Sequence, residues 1–162
     1  MKEMAKKPVE KCCGGRCAAR PRWVSGTVDT AAGGVPSVGT RPGIRDRLSE
    51  IKVRWGIGRM SYAVPPGLYA AGSPTKDSPV LVTANYKMSF DRVRGSLDGR
   101  DAWILVLDTK GVNVWCAAGK GTFGTDELCG RIKSSRLEEI VSRRDLVAPQ
   151  LGATGVSAHR VR

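Results

Sequence analysis

Cys116 is the residue whose type and surroundings are best suited to chemistry. It stands in Asn113-Val114-Trp115-Cys116-Ala117-Ala118-Gly119-Lys120, a few residues after the continuous apolar run Ala102-Trp103-Ile104-Leu105-Val106-Leu107. A run of that kind reads as a buried strand, and in an open α/β sheet the segment past its carboxyl end faces the ligand crevice. Ala117, Ala118, Gly119 and Gly121 keep bulk away from the thiol, so a large flat ligand could approach the backbone closely. The same residues also suit a buried structural cysteine, because free cysteine is among the most buried residue types. Residue types alone leave both readings open. Lys120-Gly121-Thr122 has the look of a phosphate-binding loop, but that motif needs glycine at position 114, where valine stands, so nucleotide hydrolysis is set aside.

The other candidates are weaker. Cys12, Cys13 and Cys17 form a Cys-Cys-Gly-Gly-Arg-Cys cluster. Its spacing lacks the two separated Cys or His pairs of a zinc site, which leaves an incidental thiol cluster or the capture of Hg(II) or Zn(II). Cys129 sits beside Leu128 on a helical pattern and reads as a packing residue. His159 is the single histidine and reads as a surface or helix residue with no assigned role.

The elements that must position Cys116 follow from apolar spacing. From Thr27 to Thr40 the chain is rich in Gly, Thr, Ala and Val, and no element is assigned there. Ile44, Leu48, Ile51 and Trp55 recur at helical spacing, with Arg45, Arg47 and Lys52 on the polar face. A short extended segment is predicted at Leu68 to Ala71. Pro79 to Thr83 reads as a buried strand, Ser89, Phe90, Val93 and Leu97 as a capped helix, and Ala102 to Leu107 as a second strand, hence a parallel pair with a crossover. Thr125-Asp126-Glu127 reads as a helix start, Ser135 to Glu138 as a capping box before Ile140 and Val141, and Leu146 to Ala148 as a third strand. The fold class is therefore α/β: an open, mostly parallel sheet flanked by helices, Rossmann-like. Three segments should line one crevice: Thr83 to Tyr86, Asp108 to Lys120 and Gln150 to Ala153. The chain ends shortly after the last of these in a helical pattern, which reads as a C-terminally truncated piece.

The octapeptide from Asn113 to Lys120, followed by Gly-Thr-Phe-Gly-Thr, resembles the signature of the mercury-methylating corrinoid proteins, HgcA. The resemblance extends through Val80 to Asp91, Asp101 to Gly111 and Leu146 to Val156, most of the chain after about Trp55. More distantly, the segment is similar to the corrinoid-binding domain of the large subunit of the corrinoid iron–sulfur protein, which lacks the cysteine motif. The resemblance implies a corrinoid of the cobalamin type, with Cys116 on a cap helix as the lower axial cobalt ligand. Asn113, Val114, Trp115, Ala117, Ala118, Gly119 and Lys120 would be its structural and corrinoid-contacting neighbours. Thr83 is assigned to the second wall of the pocket on position alone. The imidazole signature Asp-x-His-x-x-Gly of other corrinoid proteins is missing, since Ser157 and Ala158 precede His159. A thiolate is a soft, strongly donating ligand that stabilises cobalt(III), the state left when a methyl group departs with both electrons. The expectation is therefore a corrinoid-dependent methyltransferase that passes methyl from methyl-cobalt to Hg(II). The alternative is a methylcorrinoid carrier of the acetyl-CoA pathway type. Implied partners are a ferredoxin-like protein with two [4Fe–4S] clusters as electron donor and a methyl donor of folate type. Members of this family carry membrane-spanning helices in a later region, so the implied location is a cytoplasmic domain of a protein anchored in the cytoplasmic membrane.

Composition fits one domain after a basic tail. Residues 1–25 are expected to form a flexible, cysteine-containing segment and residues 26–162 the corrinoid-binding domain. No run approaches the ~20 apolar residues of a membrane-spanning helix, and no secretory signal is present. The five cysteines are therefore expected to be reduced thiols. The net charge of +12 would suit nucleic acid, anionic headgroups or an acidic protein. With 6% aromatic residues and no nucleic-acid-binding motif, charge alone supports a nucleic-acid role, and that class is set aside.

Overall fold

The computed structural model describes residues 21–58 and 62–161. Cys12, Cys13 and Cys17, with residues 1–20 of the proposed tail, lie outside the described residues, whereas Trp23 packs against the core and Val24 and Ser25 belong to the first strand. The fold is a six-stranded sheet in the order β1-β2-β3-β5-β4-β6, with helices on both faces. Its strands are β1 Val24–Thr30, β2 Gly33–Val38, β3 Gly67–Ala71, β4 Val80–Ala84, β5 Ala102–Leu107 and β6 Leu146–Val147. The pairs β2/β3, β4/β5 and β4/β6 are parallel, while β1/β2 and β3/β5 are antiparallel. The α/β expectation is borne out.

β5 is central because every one of its side chains is apolar and both of its faces are covered; all six residues are buried. Alternation along it splits the core in two. Ile104 and Val106 join Tyr69, Phe90 and Leu97 on the face covered by α2 (Lys87–Ser96). Trp103, Leu105 and Leu107 join Val82, Phe123, Leu128 and Leu137 on the other. That second face is covered by α3 (Val114–Gly119), α4 (Thr125–Ser134) and α5 (Leu137–Ile140). Each fully buried large side chain contributes about 1.5–3 kcal/mol by leaving water. The chain runs from β4 through α2 to β5, then returns over the opposite face to β6 on the far side of β4. The strand order therefore reverses at β4, which lies between β5 and β6, and its carboxyl end marks a topological switch point.

Three expectations need correction. The Thr27–Thr40 stretch, left without an element, forms the β1/β2 hairpin. Val35 and Val38 are buried there, and Gly33 takes φ 114° at the turn. The capping box at Ser135 does not form. Ser135 closes α4, with Oγ donating back to the Arg131 carbonyl at 2.8 Å, and Arg136 takes a left-handed conformation (φ 49°). The third concerns α1 (Ile44–Arg54), which forms where its spacing predicts but lies with its apolar stripe outward. What it turns inward is Val53 and Asp46. Asp46 accepts from Arg94 at 2.8 Å and from Lys87 at 3.2 Å, and Asp91 on α2 accepts from Arg94 at 2.7 Å and from Lys87 at 2.6 Å. Arg94 is 1% exposed, and a guanidinium taken that far out of water must be paired. Its demand for carboxylates sets which face of α1 points in.

Candidate functional site

The switch point is organised by Asn85, the residue immediately after β4. Its Oδ1 accepts from the backbone amides of Thr109 (3.1 Å) and Gly111 (2.9 Å), and its Nδ2 donates to Asp108 Oδ1 at 3.3 Å. The Thr109 hydroxyl lies between Asn85 Oδ1 (2.8 Å) and the Val112 carbonyl (2.6 Å). One buried amide thus ties the end of β4 to the loop after β5, where Lys110 (φ 58°) and Gly111 (φ 71°) make a left-handed turn. Asp108 pairs with Lys110, whose hydrogen bond holds its carboxyl below the usual carboxylate range. Its backbone amide donates to Glu127 of α4 at 2.8 Å, and Arg131 pairs with the same carboxylate at 2.8 Å.

This loop delivers α3. Asn113 caps the helix in the way its residue type favours, its Oδ1 accepting from the Cys116 amide at 2.9 Å. Val114 and Ala117, three residues apart, are buried against the sheet. Trp115 is 69% exposed and Cys116 half-buried, while Gly119 and Lys120 are open to solvent. Ala118 leans on the 3-10 helix Gln150–Gly155 that follows β6, where Gly155 approaches so closely that a Cβ would run into the Phe123 carbonyl. The amides of Thr122 and Phe123 both return to the Ala117 carbonyl, at 2.9 and 3.1 Å, after Gly121 (φ 73°) turns the chain. Phe123 itself is fully buried beneath Gly152.

The structure therefore gathers Asn113 to Lys120 at the carboxyl ends of the strands, between the loops after β4, β5 and β6. It places Thr83 apart from them: 0% exposed, its hydroxyl without a hydrogen-bond partner among the described residues. By strand alternation with Val82, Thr83 points toward the α2 face, whereas Val114 and Ala117 pack on the other. Cys129 is half-buried, Sγ 3.8 Å from the Arg160 carbonyl, and His159 accompanies Ser157 near the chain end. Asn85 was read only as part of the crevice-lining segment Thr83 to Tyr86, and its role in holding the loop was missed. Its only signal was its place directly after a buried strand.

The outward face of α3 suits a flat ligand that brings its own metal. A Cβ at Gly119 or Gly121 would meet nothing within 4 Å, so the chain is open at both positions, and Trp115 is exposed one residue before Cys116. Among the described residues no group of three His, Cys, Asp or Glu could hold a bare ion. A single soft donor is what a metal already held in a macrocycle needs from a protein.

Residues 52–158 match the family model described as CO dehydrogenase/acetyl-CoA synthase delta subunit. The chain is similar to three proteins named acetyl-CoA decarbonylase/synthase complex subunit gamma. Identity is 39% over 93 residues with that of Methanopyrus kandleri, covering 56% of this chain and 20% of the relative. It is 34% over 98 residues with that of Methanocaldococcus jannaschii (59% and 20%) and 35% over 97 residues with that of Archaeoglobus fulgidus (59% and 21%). The chain thus spans about a fifth of the length of these relatives. The subunit letters differ between the family and the relatives; the acetyl-CoA complex is what they share.

These matches overturn two expectations. Methyl transfer to Hg(II) is corrected: the relatives belong to an acetyl-CoA complex, which favours the methylcorrinoid carrier. The mercury reading leaned on the resemblance carried by Asn113 to Lys120 and on the thiolate beneath cobalt, and neither names the methyl acceptor. Anchoring in the cytoplasmic membrane is corrected with it, since it came only with that resemblance and the relatives are named as subunits of a complex. Among the described residues no helix is long and apolar enough to cross a membrane.

Proposed function

The chain belongs to the CO dehydrogenase/acetyl-CoA synthase delta subunit family, a corrinoid-binding family, and from that membership we propose that it is a module that holds a corrinoid and carries a methyl group between enzymes of the acetyl-CoA pathway type. The observation that carries this reading is α3: a capped helix at the switch point presenting Trp115, Cys116 and Gly119 outward from a fixed base.

When bound, the corrinoid supplies a cobalt centre able to take up and release a methyl group. The chain's own residues would hold it. Cys116 would offer its sulfur to the cobalt, and Asn113, by capping α3 through the Cys116 amide, holds the backbone that carries that sulfur. Trp115 and the open surface at Gly119 would take the flat ring and exclude water from that apolar contact. Lys120, exposed at the end of the helix, would meet a polar group of the corrinoid such as an amide or phosphate. Val114 and Ala117 seat the helix on the sheet. Asn85 keeps the loop that feeds α3 in register with β4. The partners this role requires are an iron–sulfur protein as electron donor and a methyl donor of folate type.

The test is anaerobic incubation with hydroxocobalamin followed by gel filtration, with cobalt and protein measured in the eluted peak. Retention near one cobalt per chain, and uptake of labelled methyl from a methyltetrahydrofolate-type donor once a reductant and the donor's transferase are supplied, is expected. A peak free of cobalt would reject the reading.

A further inference from the structure

α1 carries a heptad seam that nothing in the described structure covers. Ile44, Leu48, Ile51 and Trp55 follow the 4-3-4 spacing of a two-helix seam, and all are exposed, Ile44 and Trp55 at 80%. If Leu48 and Trp55 are the a positions, Ile44 and Ile51 are d. The e positions are then Arg45 and Lys52, and the g positions Arg47 and Arg54. Every residue that flanks the seam is basic. The acidic residues of the helix stand elsewhere: Asp46 faces the body under Arg94 and Lys87, and Glu50 pairs with Arg54 and Arg92. Arg45, Arg47 and Lys52 have no ion-pair partner among the described residues.

This charge pattern selects the occupant. A second copy would set Arg and Lys against Arg and Lys along both flanks, and like charges across e and g positions oppose pairing. A helix with the same apolar spacing and Asp or Glu at e and g would match every flank. α1 is held against α2 by the Arg94 cluster, so its exposed face is already formed before a partner arrives. The family match begins at Lys52, and Ile44, Leu48 and Ile51 precede it, so most of the seam lies outside the matched segment.

We propose that α1 is a docking seam for an acidic amphipathic helix of a partner protein. The proposal does not depend on the corrinoid reading. Its test uses two fluorescein-labelled 21-residue peptides with Leu and Ile at a and d, one with Glu at every e and g position and the other with Lys. Fluorescence anisotropy is recorded with the 162-residue chain, with Leu48→Asp and with the double variant Arg47→Glu, Lys52→Glu. These side chains point to solvent, and far-UV circular dichroism verifies the fold of each variant. The Glu peptide is expected to bind at least ten-fold more tightly than the Lys peptide and to weaken with added salt. Leu48→Asp should lose at least ten-fold, and the double variant, whose flanks hold two basic and two acidic residues, should lose the preference for the Glu peptide. Equal binding of the two peptides by the unchanged chain, absence of binding, or a dimer of the chain through this face in sedimentation would each overturn it. Binding of the chain to vesicles of phosphatidylcholine and phosphatidylglycerol with no selective peptide binding would overturn it too.

Discussion

Replacing Asn85 by alanine removes the link between the end of β4 and the loop that positions α3. Two backbone amides lose their shared acceptor. The Thr109 amide is also 3.1 Å from the Leu107 carbonyl and the Thr109 hydroxyl keeps the Val112 carbonyl, so neither is orphaned. The Gly111 amide has no such second acceptor among the described residues. Leaving one such amide unsatisfied costs about 1–3 kcal/mol, and the net loss at Thr109 adds about 1 kcal/mol. Asp108, partly exposed, recovers its bond from water. The expected loss is roughly 2–4 kcal/mol, which for a chain of this size is a fall in Tm of about 5–15 °C. Urea and thermal denaturation measure it, and amide exchange at Gly111 locates it. A loss below about 1 kcal/mol with Gly111 still protected would refute the view that Asn85 holds this loop.

Arg94→Met should cost about 3 kcal/mol or more, because Asp46 and Asp91 keep their charges and lose their buried partner; denaturant unfolding tests it. Burial pushes the Asp46 carboxyl up, but Arg94, Lys87 and the Gly43 amide outweigh it and hold it below its ordinary 3.8. A carboxyl whose folded pKa is depressed stabilises the fold above its unfolded value and loses that contribution as pH falls through the folded one. Stability of the chain should therefore drop below pH 3.8, and Asp46→Asn should flatten that part of the profile. Gly155→Ala drives a methyl into the Phe123 carbonyl and should cost about 1–3 kcal/mol by separating the 3-10 helix from α3; an unchanged Tm would show that this packing gives way easily. Thr83→Val removes a buried hydroxyl that has no partner among the described residues and should stabilise by about 1 kcal/mol. Destabilisation instead would reveal a bridging group on that hydroxyl.

Much of the layout was readable because it rests on local signals. The unbroken apolar runs at β4 and β5 demand cover on both faces, and a parallel pair demands a crossover, so the switch point followed. Asn113 is a good N-cap before small residues, and α3 begins there. What escaped rests on distant contacts. No periodicity shows that Asp46 must face inward, because the cause is Arg94, 48 positions away. The stripe on α1 therefore reads as a core face from sequence and lies at the surface in the fold. Ser135 matched a capping pattern but was nearer the carbonyls of the helix behind it. The role of Asn85 was invisible because its four loop hydrogen bonds, to residues 23 to 26 positions away, exist only once β4 and β5 are paired. The motif around Cys116 pointed to a corrinoid, whereas the methyl acceptor is set by partners, and the match to acetyl-CoA complex subunits changed that part of the reading.

The most direct test of the site is the ultraviolet–visible spectrum of the cobalamin-loaded chain, prepared without oxygen, beside that of Cys116→Ala. The native chain is expected to show a base-off spectrum with a sulfur-to-cobalt signature, and the variant to lose it. Identical spectra from the two loaded proteins would contradict the assignment of Cys116 as the cobalt ligand.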